Sequence, residues 1–296
     1  MCTTTPFLDQ LCQIVTLGGH FRWSAVGTYL FNPYIVETIW LVIGLAILAQ
    51  VFGTLIGLLL YFMRRTRFAA SRWAANAYIW FFRGTPLLVQ IYLVSYGINY
   101  IGLDPPLRAI NFFPAIGYSQ VQMYFFVAAL LALSWNEGAY MAEIVRAGID
   151  SIDPGQLEAA RSLGMTYFVA MRRIVLPQAA RTIVPPLGNE FNGMLKNTSL
   201  ASVIGLTELL QTSINIGNAL FLQLELFVVA SFWYLMMTTV WTAIQAYIER
   251  KLNVSVTDFG PGQGSWTQRL LGFGRRGPVA VAGAGGINVP ADRGAR

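Results

Sequence analysis

Thr38–Met63 is a run of 26 residues without one charged side chain. As a helix it would exceed the ~30 Å hydrocarbon core of a bilayer. In lipid every backbone N–H and C=O must be satisfied within its own segment, so the run must be helical and the chain is expected to be an all-α membrane protein. Composition agrees: 55% of the 296 residues are hydrophobic and 11% charged, whereas soluble domains carry about 25% charge. Arg64, Arg65, Arg67 and Arg72 follow at once and place this end in the cytoplasm. Gly53 and Gly57 form a G-x3-G pair, a surface for close helix packing either within the subunit or between subunits.

Four more spans complete the reading. Leu87–Leu103 is the second. Before it, Trp73–Phe82 is too short to cross and reads as an interfacial or half-inserted helix, with Thr85 as N-cap and Pro86 as first helical residue of the span. A single long helix kinked at Pro86 is the rival reading. Val121–Ile149 is the third span, and Leu224–Ile248 the fifth. The fourth, Arg181–Gly205, would start at Pro185-Pro186. Its Asn189, Glu190, Asn192, Lys196 and Asn197 are too polar to face lipid, so it must face protein or water. Asp104–Gln120 reads as an external loop and Thr207–Gln223 as an external helix and loop. Sixteen of the 20 Lys and Arg then fall on inner segments, which sets the N-terminus outside and the C-terminus inside. Residues 1–32 form an external or interfacial segment, in which Phe7–Val15 is either a short surface helix or an irregular leader. Residues 33–252 form the transmembrane domain, and 253–296 a Gly-, Pro- and Arg-rich cytoplasmic tail expected to be disordered.

The longest polar interruption, Asp153–Pro177, carries its own folding instructions. Asp153 is a good N-cap and Pro154 suits the first helical position, where its missing N–H costs nothing. Gly164 is a natural stop, and Met165–Leu176 reads as a second short helix ended by Pro177. Glu158-Ala159-Ala160, three residues, Gly164, nine residues, then Ile174-Val175-Leu176-Pro177 resembles the EAA loop of ABC importer permeases. Phe82–Gln90, Gly138–Glu143 with Arg146, and Lys196–Leu200 are similar to stretches of the polar amino-acid branch of that family.

The resemblance runs from about Pro33 to Leu252. It implies a type I importer fold of about five transmembrane helices in the cell membrane, with separate ABC ATPase subunits below, an extracytoplasmic substrate-binding protein above, and a second permease core, identical or sibling. Glu158, Ala159, Ala160, Arg161 and Gly164 are then the ATPase-coupling residues: Glu158 for a basic group, the alanines for close approach, Gly164 for the turn. An amino-acid zwitterion needs an acceptor for its ammonium and a donor for its carboxylate. Glu137, Glu143 and Glu190 are the acceptor candidates, and Lys196, Asn197 or the start of a broken helix the donors. A structural ion pair between Glu143 and Arg146, three apart, is the plainer alternative.

Other chemistry has little to stand on. The sequence lacks a Gly-x4-Gly-Lys-Ser/Thr phosphate loop, so any ATPase is another chain. Cys2, Cys12 and the single His20 make no metal set, and no cofactor is expected. The net charge of +6 is accounted for by topology rather than by nucleic acid. Another small organic solute as cargo, an intramembrane enzyme built on a carboxylate pair such as Glu137 with Glu190, and a channel are the competing functions.

Overall fold

The computed structural model describes residues 21–102 and 120–252. The expectations for Phe7–Val15, the tail and most of the Asp104–Gln120 loop lie outside them. Among the described residues the secondary structure is entirely helical. The helices are α1 (Trp23–Leu30), α2 (Pro33–Arg65), α3 (Ala69–Gly84), α4 (Leu87–Tyr100), α5 (Gln120–Asp150), α6 (Pro154–Ser162), α7 (Tyr167–Ala170), α8 (Leu176–Asn197), α9 (Leu209–Leu220) and α10 (Gln223–Lys251). A π-helical turn, Met171–Val175, joins α7 to α8, and a 3₁₀ segment, Thr198–Ile204, follows α8.

Helices α2, α5 and α10 are each long and apolar enough to cross a membrane, and the pair α3–α4 passes the same test if taken as one broken span. α2 starts on the Asn32 cap, whose Oδ1 accepts from Tyr34 N at 3.0 Å, with Pro33 in the first turn. It ends on Arg64 and Arg65, cations that suit a helix C-terminus. α2 and α10 leave Trp40, Leu55, Leu59, Phe62, Leu224, Leu235 and Tyr247 exposed, as faces turned to lipid require. α5 is the hub, since its most apolar window is 61% buried against 33% for α2 and 17% for α10. Ala128, Ala129, Ala132, Leu133, Ala139 and Met141 of α5 are sealed in the core, and the small ones let neighbouring backbones come close.

The G-x3-G pair serves packing inside the subunit. A Cβ on Gly53 would stand 2.5 Å from Glu137 Cγ, and one on Gly57 would meet Met141 Cβ at 2.4 Å and Ala142 N at 2.8 Å. Gly138 is equally tight against Ile56. α2 and α5 therefore touch backbone to backbone along this stretch.

Two helix boundaries differ from the local reading. The chain does not end a helix at Pro177; it runs on from Tyr167 to Asn197, and Pro177 sits in the first turn of α8. The π turn before it closes with Leu176 N–H on Met171 O, and this wider turn moves away the carbonyl that a proline ring would strike. Nor does Pro185-Pro186 start the fourth span, since both lie inside α8. Pro185 is buried, and its carbonyl accepts from Gln245 Nε2 of α10 at 3.2 Å, which fastens this turn of α8 to α10.

At the α3–α4 junction the two helices meet at 111°, which is the broken-helix reading and not the kinked one. Thr85 does not cap α4; its Oγ1 donates back to Phe81 O at 2.9 Å. The bend is held by Gln90, buried to 2% exposure, whose Nε2 reaches Phe82 O at 2.9 Å, Thr85 O at 3.1 Å and Thr85 Oγ1 at 2.7 Å. Asn136 of α5 donates both to Phe82 O and to Gln90 Oε1, at 3.0 and 2.9 Å, and so pins the break to the hub.

Candidate functional site

Two regions carry the residues singled out by sequence. The first is the α6 surface. Asp153 Oδ1 accepts from Gly155 N at 2.8 Å and Pro154 occupies the first turn, as expected of this cap. The helix ends in a Schellman arrangement: Met165 N–H bonds Ala160 O at 3.1 Å and Gly164 N–H bonds Arg161 O at 2.9 Å. Gly164 has φ +76°, the left-handed conformation that favours glycine. Glu158, Ala159, Arg161 and Gly164 are exposed, whereas Ala160 is buried against the chain itself. Leu163, Tyr167 and Phe168 extend the exposed surface with apolar area, and the Arg161 guanidinium lies 5.5 Å from the Tyr167 ring centroid. An acid and a base on the short capped helix α6 thus share an exposed surface with apolar side chains at its end and on α7, the make-up of a protein contact.

The second region lies deep in the bundle. Glu137 on α5 is 13 residues from Asp150, Glu190 on α8 is 14 from Leu176, and Gln50 on α2 is 15 from Arg65. Helical rise puts each about 20 Å from those helix ends, near half the thickness of a bilayer. Glu137 is buried and accepts from Gln50 Nε2 at 3.0 Å. Glu190, half-buried, is within electrostatic reach of both the Glu137 carboxylate and the Arg83 guanidinium. Arg83 stands in the last turn of α3 and lies 5.4 Å from the Tyr140 ring centroid on α5. Two acids, one base and an aromatic face therefore meet where α3 breaks into α4. Gln50 Oε1 is buried without a partner beside them.

The other predicted residues go elsewhere. Glu143 is tied into ion pairs with Arg146 on its own helix and with Arg64 at the arginine-bearing end of α2. Lys196 stands six residues beyond Glu190, about 9 Å along α8. It lines a groove of ≈ 390 Å³ with Ser199, Ser231, Tyr234 and Thr238. Asn197 is exposed at the end of the same helix.

Sequence reasoning misses three polar residues. Arg83 reads from sequence as no more than an interfacial charge. Gln50 is the one amide in an otherwise apolar run, a legible signal. Glu208 is fully buried; it caps α9 by accepting from Leu210 N and Gln211 N, each at 2.9 Å, and from Tyr234 Oη at 2.7 Å. Among the described residues no cluster of His, Cys, Asp and Glu could hold a metal ion.

Known proteins share this architecture. The family model for binding-protein-dependent transport system inner membrane components matches residues 53–254. The arginine transport system permease protein ArgU of Corynebacterium glutamicum is 38% identical over 78% of this chain and 72% of its own length. The L-cystine transport system permease protein TcyB of Bacillus subtilis is 36% identical, over 83% of this chain and 97% of its own. The glutamate/aspartate import permease protein GltK of Escherichia coli O157:H7 is 34% identical, over 78% and 98%. A crystal structure of an amino acid ABC transporter with histidines superposes with TM-score 0.62 at 32% identity, over 84% of this chain and 100% of that one. These imply a separate ATPase and a binding protein as working partners. The chain belongs to the binding-protein-dependent transport inner membrane family: it is the membrane-embedded permease subunit of an ABC importer.

Proposed function

We propose that this permease translocates a polar amino acid, and that the cluster of Arg83, Tyr140, Glu137 and Glu190 is on the substrate's path. The observation that carries this is the grouping of opposite charges deep in the bundle: Glu190 lies within electrostatic reach of both Arg83 at the helix break and Glu137 on α5. A zwitterion offers one carboxylate and one ammonium, so it matches a guanidinium set against a pair of acids, and two adjacent acids favour a cation between them. The relatives named for arginine, cystine and glutamate/aspartate support the class of cargo without fixing the side chain. Lys196 and Asn197 serve further along the same path, and Glu143 acts structurally.

The machine around it follows from the same reading. Residues 33–252 form one core, α8 counts as a span beside the apolar ones for a total of five, and a second core, identical or sibling, closes the cavity. ATP binding draws two ATPase subunits together. Each moves an α6 held at its surface through Glu158, Ala159 and Arg161, and the stiff helix carries that displacement into α5 and α8. The cavity opens outward, takes cargo from the binding protein, and opens inward after hydrolysis.

Uptake of labelled amino acids into proteoliposomes holding the permease, ATPase and binding protein tests this. ATP-dependent accumulation of a polar amino acid, lost in Glu190→Gln or Arg83→Gln with ATPase binding intact, is expected. Accumulation of sugars or inorganic ions instead, or full amino-acid uptake by both variants, would overturn it.

A further inference from the structure

α5 ends at Asp150, and α6 begins shortly after it at Pro154. A push on α6 therefore passes along the chain to the last turns of α5, as well as into the π turn that leads to α8. What happens to α2 then depends on how the two helices are joined at that end. Deeper in the bundle they are locked by glycine contacts at Gly53, Gly57 and Gly138 and by the Gln50–Glu137 hydrogen bond. Beyond Gly57, Leu60 of α2 shares a buried apolar cluster with Ala139 and Ala142 of α5, and charge adds a second joint. Arg64 Nη1 donates to Glu143 Oε1 at 2.5 Å, and Arg65 Nη2 approaches Asp150 Oδ1 at 3.5 Å. Within α5, Arg146 Nε and Nη2 grip Glu143 Oε2 at 3.0 and 2.9 Å, and Arg146 Nη1 holds Asp150 Oδ2 at 3.1 Å.

The five groups are not equivalent. Arg65 and Asp150 are the most exposed, at 58% and 45% of side-chain area, and a long exposed pair contributes little. Glu143 and Arg64 are the most sheltered, at 21% and 29%, and theirs is the short, charge-assisted contact between helices. Glu143 spends one oxygen on α2 and the other on its own helix, so it is the node through which the set acts.

We propose that Glu143 is a positioning residue for energy coupling: with Arg64 it ties the inner end of α2 to the root of α6, so that α2 and α5 move as one body when α6 is displaced. This rests on the reading of α6 as the ATPase-held helix, and it adds what that reading leaves open, namely how the stroke reaches α2. Without the tie, the end of α5 can swing on α2 about the glycine contacts, and part of the displacement is lost before it reaches the cavity.

The test uses the assembled complex in lipid nanodiscs and proteoliposomes, with Cys2 and Cys12 replaced by serine. Spin labels on Phe62→Cys of α2 and Ala147→Cys of α5, both exposed, report the distance between the two inner ends. The expected result is one narrow distance, the same with and without trapped nucleotide. Glu143→Gln and Arg64→Gln should each broaden it, and should lower substrate molecules moved per ATP by about 3-fold or more. Removing both charges should do no more than the worse single change, because one contact is lost either way. Arg64→Lys, which keeps the charge, should retain most of the coupling. Unchanged distance and stoichiometry in the glutamine variants would overturn the proposal. If Glu143→Gln fails to assemble, Arg64→Gln decides alone. Co-purification of the ATPase reports docking of α6 separately, so its failure in the parent complex faults the docking reading, while the label distance without nucleotide still reads the tie.

Discussion

Single residues show how little slack the packed part of the bundle has. Gly57→Ala drives a methyl onto Met141 Cβ and the Ala142 backbone, and backbone cannot swing aside. A loss of about 1–3 kcal/mol is expected, read as a lower melting temperature in detergent. Gly44 lies on the same helix, and a Cβ added there would meet nothing within 4 Å. It should accept alanine with no loss and a gain of up to about 1 kcal/mol. Glu208 makes a different case. Both of its oxygens accept, so Glu208→Gln turns one acceptor into a donor facing an N–H or a hydroxyl. A cost of about 1–3 kcal/mol is expected in the same melts, with Tyr234→Phe costing less. The glycine pair was legible in sequence, but not which partner it met, because G-x3-G fixes a surface and not its neighbour. Glu208 was illegible because nothing local distinguishes a buried carboxylate from an external one; its burial comes from α10, 26 residues away.

At the level of elements, what local chemistry decides is legible in the sequence and what the bundle decides is not. α6 was legible from end to end because Asp153, Pro154 and Gly164 act through their own backbone neighbours. The continuity of α8 through Pro177 and Pro185-Pro186 was not, since prolines read locally as helix ends and starts, and the π turn before α8 depends on the folded chain. The α3–α4 break was legible as a break, yet its fastening by Gln90 and Asn136 needed the fold. Asn136→Ala should leave the Gln90 contacts to α3 but remove the amide's two ties between the junction and α5, with the Tyr78 Oη bond to Trp135 O, at 2.8 Å, still in place. A wider spread of label distances between α3 and α5 is expected, with a roughly 10-fold loss of transport, if one buried hydrogen-bonded tie contributes ~1.4 kcal/mol. An unchanged spread would show that the Asn136 amide does not hold the break.

For the whole molecule, the central physical fact is a division of labour along the membrane normal. Arg64 and Arg65 at the end of α2 and Glu143, Arg146 and Asp150 at the end of α5 are paired with one another, whereas Arg83, Glu137 and Glu190 have an acid in excess. On the proposed reading, pairing stiffens the part that receives force, and the unmatched acid leaves a place for a cationic group where cargo passes. The family pattern and the positive-inside count made the overall class legible from sequence. The distribution of paired and unpaired charge was not, because it depends on which helices touch. The most direct measurement of the account is photo-crosslinking from position 159 on the exposed side of α6, in the complete transporter. Capture of the ATPase subunit that changes with nucleotide, and none from position 44 of α2, is the predicted result. Intact uptake with no capture from position 159 would contradict it.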